Sequence, residues 1–359
     1  MNIVNSENKM VFCTLFNSSY LDKGLVLYDS LTEVCNNFVL YVFAFDENCY
    51  RILKDLDYKY LIPISLEEFE DERLLQAKKN RTEREYCWTC SCHTIKYVLE
   101  NKKENNCTYI DADMYFYSDP HILFDEILES KCDVSIIEHR LSNVLENRRA
   151  KKISGRFCIE FNTFFASEKS MSILNWWCDR CIELCTEIPD GIHFGDQKYL
   201  DDWEERFKGV HVLQHLGAGV APWNVAQYKL RRIEDGTIYI IHKRTRKCVP
   251  LIFYHFQAMK YLKDGSVDIG VNMYPGYAEP KLCKTLYGQY LQSLENKREW
   301  LKEKYSLNLS NNHTIKFNKK EYFLQDILGE RVPFVIARKL WRLCIRKNRD
   351  YYSSVDESH

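Results

Sequence analysis

Cys107-Thr108-Tyr109-Ile110-Asp111-Ala112-Asp113-Met114-Tyr115-Phe116-Tyr117 decides the fold. A run that reads as a buried strand ends in two aspartates two positions apart, and a second short apolar run follows. On a strand, residues i and i+2 point to the same side, so the two carboxylates share a face. Two carboxylates that close repel each other unless a cation lies between them. Oxygen ligands of this kind suit Mg²⁺ or Mn²⁺, and such ions share their remaining positions with substrate phosphates. One reading is therefore a metal–diphosphate site. The other is a turn that holds two aspartates, because Asp is common in turns.

Outward from this stretch the chain alternates. Residues 10–16 read as a buried strand, followed by the polar turn Asn17-Ser18-Ser19 and a helix over 20–34. Residues 38–45 are a continuous apolar run, as expected of a strand covered on both faces. A helix over 47–56 and a short strand at 60–62 come next, then a charged stretch over 67–84 that leads into a helix ending near Glu100. Beyond Asp113, strands are expected at 132–137, 157–165 (with Asn162-Thr163 inside), 210–213 and 251–255. Helices are expected over 167–185 and, after His193-Phe194-Gly195-Asp196-Gln197, over 198–203; charged, helix-period sequence fills 276–305. The βαβα order predicts an α/β fold with a mostly parallel sheet. Ligands of such sheets bind beyond the carboxyl ends of the strands, where Asp111 and Asp113 stand, and this favours the metal reading.

Composition narrows the class. The length of 359 residues suits one large α/β domain with an added helical segment. A net charge of −1 gives no electrostatic bias toward nucleic acid. The start of the chain lacks the apolar core of a signal peptide, no stretch is long enough to cross a bilayer as a helix, and there are 15 cysteines. Free thiols in the cytoplasm are the expectation. Cys87-Trp88-Thr89-Cys90-Ser91-Cys92 has the tight spacing of a metal knuckle, but no second Cys/His pair follows at zinc-finger spacing. Cys178, Cys181 and Cys185 recur at helical spacing, and both groups read as buried packing. Residues 331–347 alternate basic and apolar side chains around Trp341. They read either as a helix lying peripherally on an anionic membrane or as a terminal helix docked on the domain.

Four local signatures, in order, carry a resemblance: Tyr109-Ile110-Asp111-Ala112-Asp113-Met114, Phe161-Asn162-Thr163-Phe164-Phe165-Ala166, Gly195-Asp196-Gln197-Lys198-Tyr199-Leu200 and Phe253-Tyr254-His255-Phe256. The chain resembles the GT-A glycosyltransferases, and more narrowly the retaining family-eight group that includes glycogenin and the lipooligosaccharide galactosyltransferases. The resemblance implies a Rossmann-like GT-A catalytic domain over 1–275 and a C-terminal helical extension over 276–359. It implies transfer of a sugar from a UDP-linked donor to a glycan, lipid-linked or protein acceptor, with retention and with Mn²⁺ or Mg²⁺. Asp111, Asp113 and His255 would hold the metal. Thr14, Asn17, Asp111 and Ala112 would contact the donor, with Asn17 at its nucleoside and Asp111 near its ribose, and Lys260 or Lys263 would reach its phosphates. Asn162 and Asp196 would face the donor sugar, with Gln197 beneath the anomeric carbon.

The resemblance is not complete. The family's late motif runs His-x-x-Gly-x-x-Lys-Pro-Trp, whereas here Ala258 stands for the glycine and Lys260 comes one position early. For the basic residue that relatives carry in the helix before the aspartates, Lys96 is the counterpart at hand. The loop 215–224, with Gly217, Gly219 and Pro222-Trp223, reads either as a sugar-binding wall built on His215 and Trp223 or as a rigid connection. Taken singly, His255 reads as a core histidine, Asp196 as a helix cap and Asn162 as a buried amide; together, in this order, they point to an enzyme. A nucleotidyltransferase would carry a glycine-rich phosphate loop after its first strand, and residues 12–25 lack one. A glycan-binding module would not need the metal ligands. A host-modifying glycosyltransferase toxin would share the donor chemistry and act on protein.

Overall fold

The computed structural model describes residues 9–141, 153–261, 267–274 and 276–309. Its central sheet begins with β1 (Met10–Phe16), β2 (Phe38–Ala44), β3 (Leu61–Ile64) and β4 (Asn106–Ile110). β5 (Met114–Phe116) leaves the sheet, and β6 (Val134–Glu138), β7 (Phe157–Phe165) and β8 (Val210–Val212) complete it, in the spatial order β3-β2-β1-β4-β7-β6-β8. Neighbours pair in parallel except around β7, which runs antiparallel to both β4 and β6. This is the expected mostly parallel sheet with one strand reversed.

β1 and β2 are buried along their whole length, so alternate residues feed two separate cores. Phe12, Leu40 and Val42 join one core with Leu21, Leu25 and Leu31 of α1 (Leu21–Val34). Val11, Cys13 and Phe43 join the other. The helices α2 (Glu47–Leu56), α3 (Leu66–Phe69) and α4 (Glu72–Lys78) precede α5 (Glu83–Asn101), which packs on that second face. The stretch expected to be merely charged, 67–84, is thus largely helical. α5 starts on a capping box between Thr82 and Glu85, which satisfies two of its leading N–H groups. Beside it lies α7 (Glu168–Glu183), which follows α6 (His121–Ser130) in the chain. Cys90 and Cys92 of α5 and Cys178 and Cys181 of α7 are buried against one another's helices as core residues. Burial pushes all four thiols well above their usual pKa, so they are protonated and inert at neutral pH.

Two elements differ from expectation. The helix expected at 198–203 is a 3₁₀ turn, Gln197–Leu200, followed by α8 (Trp203–Arg206). Residues 228–250 form a three-stranded antiparallel sheet, β9 (Tyr228–Glu234), β10 (Thr237–His242) and β11 (Cys248–Pro250), that was not anticipated. After it come β12 (Phe253–His255), β13 (Lys260–Tyr261), β14 (Val267–Asp268) and α9 (Pro280–Tyr305).

α9 covers the region expected to open the C-terminal extension, and it packs into the domain. Leu282, Leu286, Tyr290 and Leu294 share a core with Tyr115 and Tyr254, and Leu301 reaches the core under α1. Its Arg298 Nε donates to Asp22 Oδ2 at 2.6 Å and Lys297 Nζ meets Asp29 at 2.6 Å, tying α9 to α1. Residues 331–347 lie outside the described residues. Among the described residues no helix is long and apolar enough to cross a membrane.

Asp22 is only 1% exposed, so its charge depends on Arg298. Removing one partner of a buried pair leaves the other uncompensated, at a cost of about 3–5 kcal/mol. Arg298→Ala is expected to lower unfolding free energy by about that amount in a urea melt; a change below about 1 kcal/mol, the range of exposed pairs, would contradict the packing described.

Candidate active site

The site starts from strand pairing. β5 pairs antiparallel with β12 in the register Phe116↔Phe253, Tyr115↔Tyr254, Met114↔His255. The pairing is extended by hydrogen bonds from Phe256 N to Asp113 O (2.9 Å) and from Tyr117 N to Ile252 O (2.8 Å). β5 directly follows Asp113, so this register carries a histidine from late in the chain to the two aspartates. His255 Nε2 lies 3.1 Å from Asp113 Oδ1 and 3.7 Å from Asp111 Oδ2. The three residues expected to act together are brought together.

Behind the histidine stands a residue that sequence reasoning missed. His255 Nδ1 donates to Glu160 Oε2 at 2.6 Å, and Glu160 is buried. β7 supplies it: the antiparallel register with β4 sets Phe161 opposite Ile110 and Asn162 opposite Tyr109, so Glu160 comes next beside the end of β4. A carboxyl group on Nδ1 fixes a proton there and makes Nε2, which faces the aspartates, the nitrogen that would bind a metal once its own proton is displaced, the arrangement that metal-binding histidines use. The signal was present: an acid inside the apolar run 157–165 needs a buried partner.

The charges do not balance by themselves. Burial pushes Asp111 up to about 6, against the pull of His255 and with Asp113 and Glu160 adding to the rise, although 30% of its side chain stays exposed. Burial would also raise Asp113, but the charge and hydrogen bond of His255, helped by Lys23, hold it down at about 2. Burial opposes charge on His255, yet the Asp113 carboxylate and its hydrogen bond raise the imidazole well above the usual histidine range. One imidazolium thus serves Asp111, Asp113 and Glu160. Both carboxylates approach the same imidazole nitrogen, at 3.1 and 3.7 Å, and oxygen and imidazole donors of this kind suit a divalent ion such as Mn²⁺.

Asp196 is the fourth acid. It is buried, and it caps no helix through its side chain, which instead accepts a short hydrogen bond from Ser91 Oγ of α5. Its backbone carbonyl accepts from Trp177 Nε1 at 3.0 Å. Burial, against the Ser91 bond, pushes its carboxyl up to about 7, and the charge of Asp111 adds to the rise. Asn162 is buried with both amide atoms unpartnered, so it does not repair its strand. Such an amide carries a cost that a polar ligand would remove.

Other expected residues have different surroundings. Gln197 Nε2 donates to Ser154 O at 2.6 Å. Asn17 Oδ1 accepts from Ser19 N and Oγ and shapes the turn after β1, while the buried Thr14 hydroxyl is unpartnered. Ala112 is buried in the core. Lys260 sits on β13 opposite Asp268, and Lys263 lies outside the described residues. Lys96 lies within ion-pair reach of Glu100 on its own helix. Ala258, where relatives have glycine, keeps the left-handed conformation a glycine would favour, with φ of 66°.

The loop 215–224 resolves toward the rigid connection. A Cβ on Gly217 would lie 1.9 Å from Pro250 O, and one on Gly219, at φ +61°, would lie 2.8 Å from Ile137 and 3.0 Å from Glu160 Oε1. These glycines admit close packing behind the site. Trp223 is 4% exposed and sets its edge against His255, with ring centroids 5.4 Å apart. It steadies the histidine and offers no open face to a sugar, which corrects the expectation of a stacking wall. His215 Nδ1 accepts from Gly217 N at 3.1 Å and helps shape the same loop.

No protein-family model matches the chain. It is 30% identical over 295 residues to the uncharacterised protein YfnD of Bacillus subtilis (strain 168), covering 81% of this chain and 90% of that one. It is 31% identical over 256 residues to the uncharacterised protein YfnF of the same organism, covering 69% and 81%. In structure it is similar to an active-site mutant of LgtC, with a TM-score of 0.50 and 11% identity over 80% of this chain and 96% of that one. At that identity the likeness speaks to the fold, which is GT-A.

Glu160→Gln keeps the shape of the side chain and removes its charge. Outer partners of metal ligands contribute about 10- to 100-fold in metal affinity. Mn²⁺ titration by calorimetry is expected to show a loss in that range; an unchanged affinity would mean that Glu160 does not serve His255 as a ligand.

Proposed function

We propose, for a chain that belongs to the family of the Bacillus subtilis proteins YfnD and YfnF and has the GT-A glycosyltransferase fold, that it transfers a sugar from a nucleotide-diphosphate donor to an acceptor hydroxyl. The observation that carries this reading is the approach of the Asp111 and Asp113 carboxylates to one imidazole nitrogen of His255, with Glu160 holding the histidine from behind. Asp111, Asp113 and His255 would hold Mn²⁺ or Mg²⁺, and the bound ion would supply Lewis-acid stabilisation of the departing diphosphate.

The chain's own residues do the rest. Pairing of β5 with β12 holds the histidine in place, and Glu160 keeps its proton on Nδ1. The unpartnered amide of Asn162 supports a polar group of the donor sugar as its partner. Asp196, anchored by Ser91 and with a carboxyl near neutral pKa, suits a hydrogen bond with a sugar hydroxyl from either protonation state. A uridine donor, a hexose or N-acetylhexosamine as the group moved, a glycan, lipid-linked or protein acceptor, and retention with Gln197 beneath the anomeric carbon follow from the family resemblance. The described cysteines are all free thiols, which supports action in a reducing compartment.

Incubation with a panel of UDP-, GDP-, ADP- and dTDP-sugars and Mn²⁺ is expected to show slow hydrolysis of one donor class, abolished by EDTA. Asp113→Ala and His255→Ala are expected to reduce it by at least about 100-fold, the scale on which lost electrostatic stabilisation acts. Asp196→Asn should reduce turnover about 100-fold through misplacement of the sugar while leaving Mn²⁺ affinity unchanged. Metal-independent turnover, or full activity in His255→Ala, would overturn the reading.

A further inference from the structure

Lys23 is the third residue of α1 and only 7% exposed. A lysine so placed is unusual, because a buried ammonium is costly unless it is paired. Its position is built: a Cβ on Gly24 would fall 2.3 Å from the ring of Phe16, so the glycine lets α1 lie directly on β1. The acids on its own helix are engaged elsewhere, Asp22 with Arg298 and Asp29 with Lys297, both at 2.6 Å, and Glu33 with the Tyr115 hydroxyl at 3.5 Å. Among the described residues Lys23 forms no ion pair. Its ammonium sits 3.9 Å over the ring of Tyr20, a cation–π contact that does not replace a counter-anion. α1 begins against the carboxyl end of β1, at Phe16, and β1 is paired with β4, which ends at Ile110 just before Asp111; farther along, α1 meets β5 where Phe116 N donates to Ser30 Oγ at 3.1 Å. The cation thus belongs to the helix start that lies on the side of the site where β1 and β4 end.

We propose that Lys23 is a donor-binding residue whose ammonium contacts a phosphate oxygen of the nucleoside diphosphate, on the α1 side of Asp113. This inference rests on the reading of the site as a nucleotide-sugar site. It gives the phosphates a cation from the first helix, where the late strand places Lys260 opposite Asp268 instead. A charge-assisted contact of this kind acts on the phosphates and not on the base.

Calorimetric titration with UDP, UMP and uridine in the presence of Mn²⁺ separates the possibilities, with GDP, ADP and dTDP in place of UDP if the wild type prefers one of them. Lys23→Met is expected to weaken diphosphate binding about 10- to 100-fold and to leave nucleoside binding unchanged, and Lys23→Arg is expected to recover most of the loss. Equal diphosphate affinity in Lys23→Met, or a parallel fall for diphosphate and nucleoside, would overturn the assignment and leave Lys23 as a counter-charge to Asp113. A wild type that binds none of the diphosphates would overturn the site reading itself. A structure of the wild type with the diphosphate and Mn²⁺ tests the contact without any variant: Nζ within hydrogen-bond reach of a phosphate oxygen is expected, and a diphosphate held wholly away from α1 would overturn it.

Discussion

Three pairs of residues hold the site together. The register of β5 against β12 is short, yet it alone decides that His255 meets Asp113 and not the neighbouring core. A slip of one position would turn Tyr254 toward the aspartates and His255 away, because side chains alternate along a strand. The surrounding structure guards that register. His255 N donates to Val220 O at 3.0 Å, Trp223 sets its edge against the imidazole, and Glu160 holds Nδ1. These contacts come from β7 and from the loop 215–224, so the geometry of one nitrogen on β12 is fixed by three segments together.

The same geometry creates an electrostatic problem. Three acids crowd around one imidazole, with Asp196 close enough to feel Asp111. Folding alone leaves the conflict visible as a split, with Asp111 pushed up and Asp113 held down. A protein tolerates such a conflict where function requires it. A divalent ion would remove it, and the buried, unpartnered groups nearby (Asn162 and the Thr14 hydroxyl) mark further polar contacts that the fold itself does not fill.

Much of this was legible in the sequence, for physical reasons that differ by element. β1, β2 and β7 are long apolar runs, and a run buried on both faces can hardly be read otherwise. The direction of β7 was not legible, because a strand's sense depends on its distant neighbours and not on its own residues. β9 to β11 were missed since β9 is largely exposed and rich in Lys and Arg, which hides the alternation. The turn signal was there all the same: Asp235 and Gly236 both adopt positive φ, as a tight hairpin demands. At the site, Asp111, Asp113 and His255 could be read because their order matched a known pattern. Ser91, whose hydroxyl anchors Asp196, gave no sign, since nothing in a helix marks which serine faces a partner on a distant loop.

The proposed chemistry of the site depends on a metal ion held by Asp111, Asp113 and the Nε2 of His255. Anomalous diffraction at the manganese edge, from crystals grown with Mn²⁺ and a nucleoside diphosphate, tests this most directly. A single peak is expected between the two carboxylates and Nε2, at bonding distance from all three, with Glu160 still on Nδ1. A peak elsewhere, or none at these residues while the nucleotide is bound, would contradict it.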